Sequence, residues 1–182
     1  MHEKALKHVA KAKRFLKTND DDNLIYSCLH LRMSIEQLFY DQIKNYKDEL
    51  PLDIIEKWQP KKIIDALIDC DPDVEMDKRI FLYKEGIKEQ GFSGQQKAVS
   101  KKMLREYYHK IASYLHTPLN KKRIDYEKLR ELIKKAISEL ELFKQTTVLV
   151  NISKKISYGC TCGRKVFKNT RALAKNPVVI CP

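Results

Sequence analysis

Arg105, His109, Ala112 and His116 recur at spacings of four, three and four residues in a stretch, Gln95 to His116, that reads as one strong helix. Three of the four could do chemistry from a single stripe. An imidazole titrates near neutrality, and a guanidinium grips phosphate oxygens, so the stripe suits binding a phosphate or moving a proton. At about 1.5 Å of rise per residue, His109 and His116 stand roughly 10 Å apart. That is too far for both to act on one atom. They would serve different parts of a polymer or meet groups from a second subunit. Leu104, Tyr108, Ile111 and Leu115 occupy the other faces and read as core. A histidine near a helix C-terminus is also favoured by the helix dipole alone.

A second constellation closes the chain. Tyr158-Gly159-Cys160-Thr161-Cys162-Gly163 places two thiols on a tight turn, and Val178-Val179-Ile180-Cys181-Pro182 brings a third at the end of a strand. Cys-x-Cys-Gly on a turn, then a strand leading to Cys-Pro, resembles a zinc ribbon. Structural zinc takes four ligands in a tetrahedron, so Cys160, Cys162 and Cys181 leave one position for a histidine, a water or another chain. The other reading is a metal-free hairpin with incidental cysteines. Arg164, Lys165, Lys168, Arg171 and Lys175 would make the ribbon a basic knob for nucleic acid or a protein partner. Cys28 and Cys70 read as ordinary thiols of a reducing compartment.

The elements that must position these groups are mostly helices. Ala5, Val9, Ala12 and Leu16 mark a first helix, and Thr18 to Asn23 is a polar break rich in capping residues. Asn23 to Tyr46 predicts a long central helix with two apolar stripes, so with neighbours on both sides. Arg32 and Glu36, four apart inside the second stripe, can pair along it. Pro60 suits the first turn of a helix carrying Ile63, Ile64, Leu67 and Ile68. Asp77 to Glu89 reads as helical, through Ile80, Phe81, Lys84 and Ile87, and Gly91-Phe92-Ser93-Gly94 as a loop. Asp125 is an N-cap for a last long helix with Leu129, Ile133, Ala136, Leu140 and Phe143. After Gln145 the period changes to alternation at Val148, Val150 and Ile152, then Ile156 and Tyr158. The expected organisation is a mainly α protein: a helical bundle over 1–145 and a small basic β appendage over 146–182.

Of 182 residues, 43% are hydrophobic and 33% charged, a globular and not a disordered balance. No apolar run is long enough to span a membrane. Met1-His2-Glu3-Lys4-Ala5 has no apolar stretch behind its charges, so a secretory signal is not expected and a cytoplasmic protein is. The net charge of +12 sits in the back half: residues 101–150 carry twelve basic against six acidic side chains, and residues 151–182 carry seven against none. Such a surface raises the local concentration of polyanions, of which nucleic acid is the commonest.

Leu31-Arg32-Met33-Ser34-Ile35-Glu36-Gln37-Leu38 together with Tyr108-His109-Lys110-Ile111-Ala112-Ser113-Tyr114-Leu115-His116-Thr117-Pro118 resembles the HEPN superfamily, over roughly residues 1–145. Those are compact helical bundles of prokaryotic toxin–antitoxin and phage-defence systems. The resemblance implies a metal-independent endoribonuclease with its cleft between two protomers, so a homodimer acting on RNA, with an antitoxin or a larger complex as protein partner. It also admits a non-catalytic nucleic-acid- or protein-binding subunit, because many such domains are inactive. The family motif is an arginine followed, after four to six residues, by a histidine. His116 matches the histidine. Lys110 stands at an arginine position, with five residues before His116, and Arg105, with ten residues between it and His116, lies too far away. Lysine keeps the charge but loses the planar, bidentate grip on phosphate. In that scheme His116 is the base or acid, Lys110 or Arg105 steadies charge on the phosphoryl oxygens, and His109 supplies the second proton transfer.

Overall fold

The computed structural model describes residues 1–18, 20–47, 49–50, 52–57, 59–84, 87–116, 124–149, 151, 155–163, 165–175 and 177. At 52–53, 82–84, 87–92, 155, 168, 171 and 175 it describes the backbone alone. Over the described residues the protein is mainly helical, with two small antiparallel sheets.

The helices begin where the sequence supplies caps. Helix α1 is Glu3–Leu16 and α2 is Asp21–Ile43, continued by a 3-10 turn at Lys44–Tyr46. The Asp20 carboxylate accepts from the Asp22 amide at 3.0 Å and opens α2, as an N-cap should. Helices α3 (Leu52–Glu56) and α4 (Pro60–Cys70) follow, with Pro60 in the first turn of α4. Helix α7, Tyr126–Glu141, starts at Asp125, whose side chain accepts from the Lys128 amide at 3.0 Å.

Helix α2 is the axis of the bundle. Leu24, Cys28, Leu31, Ile35, Leu38 and Phe39 are completely or nearly buried on its inner side. Side chains of that size each contribute about 1.5–3 kcal/mol on burial. Small residues set the approach of α1. Ser27 Oγ donates to the Ala12 carbonyl and Ser34 Oγ to the Ala5 carbonyl, both at 3.0 Å. The hydroxyls so satisfy their own polarity inside the core and fix the antiparallel register of the two helices. Val9, Ile133, Ala136, Leu140 and Phe143 complete the layer between α1, α2 and α7. The N-terminus is pinned by His2, whose Nδ1 lies 3.0 Å from Asp41 Oδ2.

The region 77–96 differs from its helical expectation. Strands β1, Lys78–Lys84, and β2, Ile87–Gln96, form an antiparallel hairpin with Lys78 opposite Gln96 and Ile80 opposite Gly94. The segment Gly91-Phe92-Ser93-Gly94, expected as a loop, is the middle of β2. Glycine costs about 1 kcal/mol in a helix, and the run Ile80-Phe81-Leu82-Tyr83 favours a pleated chain, so the hairpin wins over the helical spacing. It is tied down at its base: the Asp77 carboxylate accepts from the Ala98 amide at 2.8 Å, and Thr147 Oγ1 accepts from the Gln95 amide at 3.0 Å.

The helix expected from Gln95 therefore starts later. Ser100 caps it, accepting from the Met103 amide at 3.3 Å. Its course is α5 (Lys101–Met103), a π-helical turn at Leu104–Tyr108 and α6 (His109–Ser113). In the tail, β3 (Lys155–Gly159) pairs antiparallel with β4 (Lys165–Asn169), and α8 (Thr170–Lys175) follows. Ile156 and Tyr158 lie on a strand as their alternation predicts. Val148 does not, because Thr146 and Thr147 hold that stretch against β2 as an irregular strap. Val150, Ile152 and Val178 to Ile180 lie outside the described residues.

Candidate functional site

Three of the four candidates, Arg105, His109 and Lys110, lie on the segment from the π-helical turn to the end of α6. Arg105, His109 and Lys110 are exposed on it, and Ala112 between them is half-buried. His116 is also exposed, but in a bend beyond the C-terminus of α6, so the stripe drawn through it from Arg105 does not continue as helix. Thr117 and Pro118 fall outside the described residues. Arg105 Nη2 lies 3.7 Å from Glu106 Oε1, a loose surface pair.

The opposite side of the segment is held by Tyr108, which is buried. Its hydroxyl donates to Glu36 Oε1 at 2.9 Å, and the same oxygen accepts from Arg32 Nε at 3.0 Å. The Arg32 guanidinium also stands over the Tyr108 ring, 5.3 Å from its centroid. The ion pair expected along α2 is thus present, and it does more than staple its own helix: it anchors the π-helical turn. The His109 ring meets Tyr108 edge-on at 5.5 Å. Arg32, Glu36, Tyr108 and His109 form one chain of contacts from the middle of α2 to the exposed face. A π-helical turn is rare and recurs at functional sites, because it turns side chains away from the regular helical phase.

Beside this face, Lys110, Lys128 and Lys135 line an open groove of about 580 Å³ towards α7, interleaved with Glu106, Glu127 and Glu131. Its mixed charge makes it a shallow polar trough and not a purely cationic channel.

The tail candidates are described only in part. Cys160 is half-buried and Cys162 exposed, both at the turn between β3 and β4. The turn is closed by the Gly163 amide donating to the Cys160 carbonyl at 2.9 Å, with Gly163 at φ +84°, a left-handed conformation that suits glycine. Two thiols one residue apart on such a turn can supply half of a tetrahedral metal site. Cys181 lies outside the described residues. Among the described residues no group of three or more histidine, cysteine or acidic side chains is placed to hold a metal. Lys165 is exposed on β4; Arg164 is outside the described residues, and of Lys168, Arg171 and Lys175 only the backbone is placed, on β4 and α8.

Two polar clusters have no counterpart in the sequence reading. His8 Nδ1 and His30 Nδ1 stand 3.0 Å apart across the α1–α2 interface, with the Phe15 ring stacked on His30 at 5.6 Å. Burial lowers the pKa of both; Lys11 adds to this at His8, and His8, Lys11 and Arg14 add to it at His30. The second cluster surrounds Asp71, which is buried. Its carboxylate accepts from the Tyr46 hydroxyl at 2.7 Å, Lys78 Nζ at 3.3 Å, the Asp73 amide at 3.1 Å and Asn169 Nδ2 at 3.5 Å. Burial alone would raise the Asp71 pKa, but the Tyr46 hydroxyl and the Lys78 ammonium outweigh it and hold the carboxyl below its ordinary range. Both clusters join residues far apart in sequence, so spacing carries no sign of them.

Among the described residues no helix is long and apolar enough to cross a membrane. No protein-family model matches the chain, and neither the curated proteins nor the solved structures searched contain a match to it.

Proposed function

We propose that this protein is an RNA-directed, HEPN-like module of a prokaryotic defence or stress system, acting as a metal-independent endoribonuclease. The observation that carries the reading is the exposed placement of Arg105, His109 and Lys110 on a segment with a π-helical turn, with His116 just beyond it. Cleavage of RNA needs the ribose 2′-hydroxyl to lose a proton as it attacks the neighbouring phosphorus. His116 is the base or acid of that step, Lys110 or Arg105 steadies the phosphoryl oxygens, and His109 serves the leaving oxygen. The working form is a homodimer, because one chain spreads these groups along a helix and does not converge them. A structural zinc on Cys160, Cys162 and Cys181, with a fourth ligand, would order the basic tail that includes Arg164, Lys165, Lys168, Arg171 and Lys175.

Cleavage of RNA by the purified protein in chelator, compared with a folded His116→Ala variant, tests the reading. The expected result is cleavage by the parent and a loss of at least about a hundredfold in the variant. RNA bound at low salt but left intact by both would sink the enzymatic reading. It would leave a non-catalytic nucleic-acid- or protein-binding subunit, which lysine at position 110 in place of arginine favours.

A further inference from the structure

Helix α2 buries one side in the bundle and turns the other to solvent. Along that outer side Tyr26, Leu29, Met33 and Tyr40 are 54, 42, 39 and 39% exposed. Their spacings are three, four and seven residues. On a helix they fall within a band about 60° wide and about 21 Å long, directly opposite the buried side. Large apolar side chains at heptad spacing on a water-facing helix are the pattern that a second helix covers.

The polar residues on the same side decide which helix that is. Asp22 lies at the start of the band, His30 and Glu36 flank its middle, Gln37 follows, and Lys44, with its side chain 71% exposed, lies at the end. Set a second α2 antiparallel to the first, centred on Met33. Tyr26 then faces Tyr40 of the other copy, Asp22 faces Lys44 and Met33 faces itself, while on the flanks Leu29 lies beside the stem of Glu36 and His30 beside Gln37. The apolar centre meets its own copy, Asp22 at each end meets the Lys44 of the other copy, and the helix dipoles oppose. A parallel pair would instead set Asp22 on Asp22 and Lys44 on Lys44. Sliding the antiparallel pair by one heptad would put Lys44 against Leu29 and carry Asp22 past the end of α2.

We propose that the outer face of α2 is a homodimer interface, an isologous antiparallel helix pair with Met33 on the two-fold axis. This names the partner for the RNA-directed reading and rests on its dimeric form, not on its chemistry. The axis lies in the interface and crosses both helices, so it preserves the flanks. In each copy α1 borders the band on the side of His30, through His8, and the π-helical turn borders it on the side of Glu36, through Tyr108. The pair therefore gathers both π-helical turns on one flank and both α1 helices on the other.

Sedimentation or light scattering of the full chain, from about 1 to about 100 μM, tests the interface. A mass near twice that of the 21.4 kDa chain is expected. Met33→Lys, at an exposed position, should leave the circular dichroism unchanged and weaken association at least about tenfold. Asp22→Lys should weaken it too, and Asp22→Lys combined with Lys44→Asp should restore it. Under oxidation, Met33→Cys chains should link to each other, and Tyr26→Cys should link to Tyr40→Cys when the two are mixed. A chain monomeric throughout, or a dimer indifferent to Met33→Lys, would overturn the proposal. A dimer that Met33→Lys breaks but the charge swap does not rescue would overturn the antiparallel pairing. Cleavage is read separately through His116→Ala: a dimer that cuts no RNA fails only the chemistry, and a cutting monomer fails the interface and the dimeric working form but not the chemistry.

Discussion

Tyr108 and Arg32 share one carboxylate oxygen, Glu36 Oε1, at 2.9 and 3.0 Å. Through that atom the central helix holds the segment that carries Arg105 and His109. The Tyr108→Phe variant keeps the ring and its packing but gives up the bond. Urea unfolding should show a loss of about 1 kcal/mol. If the π-helical turn is held by this contact, amide exchange in Leu104–Tyr108 should also speed up in the variant, while α7 stays protected. Unchanged exchange would mean that packing alone holds the turn.

Acid should destabilise the fold through the His8–His30 pair. A neutral pair can share one proton across 3.0 Å; two imidazolium rings there would repel. Both folded pKa values lie below the ordinary 6.5, so the unfolded chain binds more protons than the native one. The pair's contribution is complete above about pH 6.5 and is lost as pH falls through the lowered folded values. Urea midpoints at about pH 7.5 and about pH 5.5 should differ, and His8→Gln should shrink the difference. A variant with the parent's pH slope would place the acid sensitivity elsewhere.

Asp71 should be among the most sensitive positions in the chain. Asp71→Ala leaves the buried Tyr46 hydroxyl and the Lys78 ammonium without their acceptor. The expected cost is about 2–4 kcal/mol, read by thermal or urea unfolding. Tyr46→Phe should cost less, because Asp71 keeps its other donors. The reverse order would contradict the bonding described.

Thiol chemistry should separate the cysteines. Burial pushes the Cys28 pKa up to about 12, so it should resist a thiol reagent until the protein unfolds. Cys162, exposed at the β3–β4 turn, should react at once. If the tail binds zinc, one equivalent of the metal should protect Cys160 and Cys162 while leaving the unfolding-limited reaction of Cys28 alone. Equal rates with and without zinc would remove the metal from the reading of the tail.

What the sequence made legible follows from where the information is local. Helices α1, α4 and α7 announce themselves through 3.6-residue periodicity and through Asp125 and Pro60 at their starts, and the Arg32–Glu36 pair needs only its own helix. The hairpin was obscured because Ile80, Phe81, Lys84 and Ile87 also fit a helical stripe, and only the pairing of β1 with β2 decides between them. The late start of the His109 segment had a usable sign in Ser100, an N-cap three residues before Met103. The spacing carries the helix on to His116, one turn too far, because periodicity does not register the end of α6 at Ser113. The six-residue α8 is too short for periodicity to show. Arg105 and His109 stand out by type and spacing, and Lys110 only through the motif of the family the chain resembles. Their anchoring through Tyr108 and Glu36 does not, because that contact spans 72 residues.

Asp71 also orders the events of folding. The contact of α1 with α2 crosses a short turn and can close while the rest of the chain is still being made. The bond from Asp71 to Asn169 spans 98 residues and must wait for β4. Until then a carboxylate destined for the interior has only its early donors, Tyr46, Asp73 and Lys78, to offset its dehydration. A chain lacking β4 would hold the α1–α2 pair beside an Asp71 carboxylate one donor short.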